Sequence, residues 1–300
     1  MSSTEQSTSL SRPTAIALCL GLTTAYVGSL YVVSSTRVGR TRADGRGLTR
    51  DDPEVIRARF SAVGISTILS ITVVCLLSSN VREGLEMLGI WSRRELLPAL
   101  GLTISSTALT ATLFAGPLWT WTLDGIQEGG LEGAMSYVGF RNFVIGPFTE
   151  EIVFRACIIT LSFQSGESTK QLIFLSPLYF GIAHLHHAYE VYIRYGRNRR
   201  SLIMGVTSAV LQLSYTTLFG WYASFLFLRT GSVWIPTLSH AFCNMMGLPQ
   251  PHIALRNHPS TKLSKGILVS YLLGIAGFMY LLFPWTDPAL WSSNKSPLWS

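Results

Sequence analysis

Two adjacent acidic residues carry the first sign of chemistry in this chain. The run GPFTEEIVFRACII holds Glu150, Glu151 and Arg155 inside otherwise apolar sequence. Further along, FLSPLYFGIAHLHHAYE supplies His184, His186, His187 and Glu190, and WIPTLSHAFCNMMG supplies His240 and Asn244. Residues one apart on a helix point about 100° from each other, while residues four apart share a face. Glu151 and Arg155 therefore form an i,i+4 pair in the favourable acidic-first order. Glu150 points elsewhere, with Phe154 beside it, and is available for proton transfer. By the same rule His184 shares the face of Phe180, and His240 and Asn244 aim at one point. His186 and His187 suit the headgroup end of a span, and His184 lies deeper.

A carboxylate and a neutral imidazole can hold and deprotonate a water. A His and an Asn can donate hydrogen bonds to a developing oxyanion. Brought together, the set makes an amide hydrolase, with Glu150 as base, His184 as its partner on the water, and His240 with Asn244 at the oxyanion. Rival designs lack their residues. There is no HExxH helix of the usual zinc proteases and no GxSxG elbow. Cys157 lies about 200° round the helix from Arg155 and faces away. A metal held by His184, His187 and Glu150 stays open on this reading. So do two other classes: a non-proteolytic membrane scaffold whose polar residues only clamp helices, and an ion-coupled transporter. The transporter is weakened by the lack of an inverted repeat.

The elements that must position these residues are membrane helices. The chain has 300 residues, 48% hydrophobic and only 13% charged, against about 25% charged in soluble domains. Apolar runs of about 18 or more residues read as spans. Eight are expected, near 14–34, 60–79, 97–121, 143–162, 171–189, 202–228, 232–247 and 267–284, in an all-α polytopic fold forming one membrane domain over 1–300. Residues 1–13 are expected to be unstructured. No period-2 pattern supports a barrel. The net charge of +7 has no basic stripe interleaved with aromatics, which excludes nucleic acid as a partner. Cys19, Cys75, Cys157 and Cys243 are widely spaced, which suits small core residues rather than a disulfide framework or metal site.

Most Lys and Arg fall in the segments 35–59, 122–142, 190–201 and 248–266, which eight spans place on one side. That side is expected to be cytosolic. Glu150, His184, His240 and Asn244 can then meet in a pocket that opens to the cytosol. The tail tryptophans Trp285, Trp291 and Trp299 suit an aromatic belt at the headgroups.

The ordered set EExxxR (Glu150, Glu151, Arg155), FxxxH (Phe180, His184) and HxxxN (His240, Asn244) resembles the type II CAAX prenyl endopeptidases. These are the Ras-converting enzymes of the ABI group of membrane proteases. The contexts RNFVIGPFTEEIVFRA and YFGIAHLHHAYE resemble the eukaryotic branch, and the likeness covers a catalytic core of about 140–247. The resemblance implies an eight-helix fold in the endoplasmic reticulum membrane. It implies removal of the last three residues from farnesylated or geranylgeranylated CaaX proteins, Ras-like GTPases among them. It also implies a glutamate mechanism without a metal or other cofactor. Carried over by position, Glu150 activates the water, His184 helps to hold it, His240 and Asn244 stabilise the oxyanion, and Glu151 and Arg155 support.

Overall fold

The computed structural model describes residues 10–38, 47–91, 95–124, 133, 135–291 and 296–299. Residues 1–9 of the segment expected to be unstructured lie outside the described residues. So do Arg40, Arg42, Arg46, Arg93, Arg94 and Lys295 of the charge argument.

The described residues are all-α. Helix α1 (Arg12–Val32) starts where the Ser11 side chain accepts from the Thr14 amide, with Pro13 in its first turn. Helix α2 (Pro53–Leu76) opens on a proline, whose missing N–H costs nothing at that position. The short α3 (Val81–Met87) leads to α4 (Leu96–Leu113) and α5 (Ala115–Asp124). One helical path then runs through α6 (Tyr137–Phe140), a π turn (Arg141–Ile145), α7 (Gly146–Glu151), a second π turn (Ile152–Cys157) and α8 (Ile158–Gln164). After it come α9 (Thr169–Leu175), α10 (Pro177–Ala183), α11 (His186–Arg194), α12 (Arg199–Thr230) and α13 (Trp234–Met246). The chain closes with α14 (Pro251–Asn257) and α15 (Thr261–Trp285).

Five of these helices, α1, α2, α4, α12 and α15, are long and apolar enough to cross a membrane. Their outward faces carry large apolar side chains, among them Ile65, Ile68, Leu69, Leu273 and Met279, all exposed. Exposed apolar belts of this extent mark a surface solvated by lipid. The chain is a multi-pass membrane protein.

Two expected spans, 97–121 and 171–189, depart from single helices for reasons written in their prolines. A proline removes an N–H and crowds the carbonyl four residues back. Pro117 does this to Leu113, where α4 stops and the path turns at Phe114. Pro177 interrupts the stretch expected at 171–189, which the turn at His184–Leu185 breaks again into α9, α10 and α11. The stretch expected at 232–247 is a 13-residue helix held between Gly231 and Gly247, both at positive φ.

The core cluster centres on Ile152–Ile159 and Leu161, packed against α1, α10 and α12. Close approach between helices is bought with small residues, as expected where lipid removes the hydrophobic drive. Gly220 of α12 faces Pro177, and a Cβ there would sit 2.5 Å from the proline Cβ and 3.4 Å from Arg155 Nη2. In the tail, Trp291 donates to Ser105 Oγ at 3.2 Å, and Trp299 lies against Phe225, so both dock on helices.

Gly220→Ala is expected to cost about 1–3 kcal/mol through overpacking and to lower the melting temperature in detergent. Gly28→Ala, where a Cβ meets nothing within 4 Å, should melt like the wild type. Equal melting of the two variants would contradict the close packing of α10 on α12.

Candidate active site

The helical path from Tyr137 to Gln164 supplies both glutamates from α7, between two π turns. The first π turn has a local cause. The Gly146 amide reaches back to the Arg141 carbonyl, and the next backbone nitrogen belongs to Pro147, which has no hydrogen. That leaves the Asn142 carbonyl without a helical donor. Asn244 fills the gap, donating from Nδ2 at 2.9 Å. The bond ties α13 to the site helix, and Nδ2 keeps a second hydrogen for other use.

The two glutamates part company as the helix period requires. The Glu151 side chain is 0% exposed and that of Glu150 is 23% exposed. Arg155 Nη1 lies 3.1 Å from Glu151 Oε1, so the expected i,i+4 pair is present. The guanidinium sits 4.2 Å from the Phe180 ring centroid and 5.5 Å from that of Phe219. Its nitrogens and Glu151 Oε2 have no aligned hydrogen-bond partner, so charge and stacking hold the pair.

Glu151 has a second contact that pairing with Arg155 did not foreshadow. His240 Nδ1 lies 2.7 Å from the same Oε1. With the carboxylate accepting, Nδ1 carries the hydrogen and Nε2 is turned towards Glu150, 3.8 Å from its Oε2. His184 is fixed in the same manner. Its Nδ1 lies 2.7 Å from the Phe180 carbonyl, which can only accept, so Nδ1 is the protonated nitrogen and Nε2 keeps a lone pair. Thr149 bonds Tyr26 at 2.8 Å, tying α1 to the site helix beside Glu150.

Glu150, His184, His240 and Asn244 line one cavity of about 830 Å³. That is the range of small-molecule and peptide-end sites. Glu151 and Arg155 lie behind it. Cys157 is buried in the core cluster and does not line the cavity.

Near the cavity, Glu190 accepts from Arg59 Nη2 at 3.1 Å and from Tyr31 at 3.3 Å, with His187 Nδ1 at 3.5 Å from its other oxygen. This cluster joins α1, α2 and α11. Sequence reading quoted Glu190 without a role and counted Arg59 only among the cations of the segment 35–59. The signal was its place, two residues after Arg57, at the start of the apolar run of α2. Among the described residues His186, His187 and Glu190 could each offer a ligand atom to a metal, within 4.8 Å of one another. The Arg59 guanidinium already balances that carboxylate, which leaves little charge for a cation to meet.

Residues 133–246 match the family model described as "Type II CAAX prenyl endopeptidase Rce1-like". The chain is 36% identical to the CAAX prenyl protease 2 of Homo sapiens, over 92% of this chain and 82% of that protein. It is 34% identical to the CAAX prenyl protease 2 of Arabidopsis thaliana, over 97% and 96%. A probable CAAX prenyl protease 2 of Schizosaccharomyces pombe is 36% identical over 88% and 91%. No solved structure matches the chain.

The geometry separates the two glutamates by stability. Glu151→Gln leaves the Arg155 charge buried and unpaired and should cost about 3–5 kcal/mol. Glu150→Gln, on the cavity wall, should melt close to the wild type. Thermal unfolding of both in detergent checks this, and equal losses would refute the division.

Proposed function

The chain belongs to the type II CAAX prenyl endopeptidase family, and we propose that its cavity is the peptidase site, with Glu150 as the base that activates water. The reaction is removal of the C-terminal -aaX tripeptide from prenylated CaaX proteins. Family membership decides against the scaffold and transporter alternatives. The observation that carries the site assignment is the convergence of Glu150, His184, His240 and Asn244 on one cavity.

The roles follow from which atoms are free. Glu150 takes a proton from a water whose second hydrogen is accepted by His184 Nε2. The water oxygen attacks the carbonyl carbon of the prenylated cysteine, and the carbonyl oxygen becomes an oxyanion. The second Asn244 amide hydrogen donates to it. His240 already gives Nδ1–H to Glu151, so it can donate from Nε2 only as an imidazolium. The Glu151 carboxylate fixes the ring through Nδ1, and Arg155 holds the carboxylate in place. Glu150 then returns its proton to the departing amide nitrogen, the C–N bond breaks, and the tripeptide leaves with a free amine while the cysteine keeps a carboxylic acid, which gives up the second water proton to solvent.

The wider setting belongs to the same proposal. The partly broken helical paths count as eight crossings, with 140–247 as the catalytic core of one membrane domain. The membrane is that of the endoplasmic reticulum, and the cavity opens to the cytosol, where Ras-like GTPases present farnesylated or geranylgeranylated ends. Support comes from the Lys and Arg bias of the loops and from the arginines Arg50, Arg59 and Arg141 on the cavity wall. The prenyl chain gains about 0.8 kcal/mol per buried CH₂, which holds the substrate at the bilayer.

Purified protein is expected to release the tripeptide from a farnesylated CaaX peptide, at a rate unaffected by chelators. Glu150→Gln and His184→Ala should each lower kcat by about a hundredfold or more. Wild-type turnover in either variant would sink the mechanism.

A further inference from the structure

Among the described residues three arginines line the cavity that holds Glu150: Arg50, Arg59 and Arg141. Arg59 is matched, since it pairs with Glu190 and donates from Nε to the Thr36 carbonyl at 2.9 Å. Arg50 and Arg141 are not matched one for one. They share Asp51, whose Oδ1 lies 3.0 Å from Arg141 Nη1 and 3.9 Å from Arg50 Nε. The other bonds of Arg141 go to neutral oxygens, the Arg50 carbonyl at 2.7 Å and Asn142 Oδ1 at 2.9 Å. Among the described residues, two guanidinium groups against one carboxylate leave an excess positive charge facing the cavity. Burial first, and the Arg50 charge after it, pull the Arg141 guanidinium below its ordinary range, as expected of a cation with too little anion nearby.

The placement of Arg141 depends on the π turn. At about 100° per residue, nine residues of α-helix would put Arg141 and Glu150 on opposite faces. The π turn at Arg141–Ile145 closes i→i+5 and winds less per residue, and both side chains reach the same cavity. Along the helix they are separated by about 13 Å at ~1.5 Å per residue. An extended tripeptide covers about 10 Å at ~3.3–3.6 Å per residue, and an arginine side chain spans the remainder.

We propose that Arg141 and Arg50 form a subsite for the free C-terminal carboxylate of the substrate. This rests on the peptidase reading above and deepens it. The catalytic group sits at one end of the site and the carboxylate clamp at the other, so the distance between them selects a bond three residues from the chain end. A carboxylate drawn into an apolar cavity must be paired, and guanidinium groups do this with two parallel hydrogen bonds. Asp51, 55% exposed at its side chain, is placed to yield part of its hold on the arginines when the substrate carboxylate arrives.

The test compares kcat/KM for one farnesylated CaaX peptide made as the free acid and as the C-terminal amide. Wild-type protein should prefer the acid by about tenfold or more, the range of a lost charge-assisted bond. In Arg141→Gln and in Arg50→Gln the acid-to-amide ratio should fall towards one. Because Arg141 is half-buried and its replacement can disturb folding, Arg50→Gln, at the more exposed side chain, is the independent check. The subsite is overturned if wild-type protein cleaves the amide as readily as the acid, or if both variants keep the wild-type ratio. Those outcomes leave cleavage of the acid intact, so they are distinct from failure of the peptidase reading, which would appear as no tripeptide released from the acid by wild-type protein.

Discussion

A single buried carboxylate orients the whole site. Glu151 has no solvent exposure and meets both Arg155 and His240. Burying such a charge is unfavourable unless partners replace water, so its surroundings are constrained in two directions. On one side it holds Arg155, whose guanidinium lies 4.2 Å from the Phe180 ring centroid, and the carbonyl of Phe180 sets the ring of His184. On the other it holds His240, whose free nitrogen is thereby turned to Glu150. Glu151 thus orients His240 directly and reaches His184 only by way of Arg155 and Phe180, although it does not itself line the cavity.

The alternation of sign along this chain of groups explains how the bilayer tolerates it. Glu150, His240, Glu151 and Arg155 succeed one another in space as acid, base, acid, base. Isolated charges at mid-membrane cost about 3 kcal/mol each on insertion scales, and a contiguous network of alternating partners avoids much of that. Phe180 and Phe219 seal its inner end.

Some of this was legible in the residues and some was not. The Glu151–Arg155 pair and the separate direction of Glu150 follow from the period of one helix, so sequence carries them. The contact of His240 with Glu151 joins residues 89 apart, and no local rule reaches that far. Hydropathy found the apolar stretches but misjudged their form at 97–121 and 171–189, because it averages over Pro117 and Pro177 and does not register the carbonyls they crowd. Pro147 was equally visible, yet its effect depends on Asn244 arriving from another helix to take the orphaned Asn142 carbonyl. Arg59 and Glu190 fall in the same class, each unremarkable until α2 and α11 are packed together.

The short helix that carries His240 and Asn244 has a consequence for the bilayer itself. Thirteen residues make about 20 Å of helix, against roughly 30 Å of hydrocarbon. A helix of that length beside full-length neighbours cannot bring both ends to water through a flat membrane of ordinary thickness. Were it to cross alone, the lipid beside it would have to thin by about 10 Å to meet its two ends. On the proposed reading, acyl-chain length in the surrounding lipid would then set how deep His240 and Asn244 lie below the headgroups.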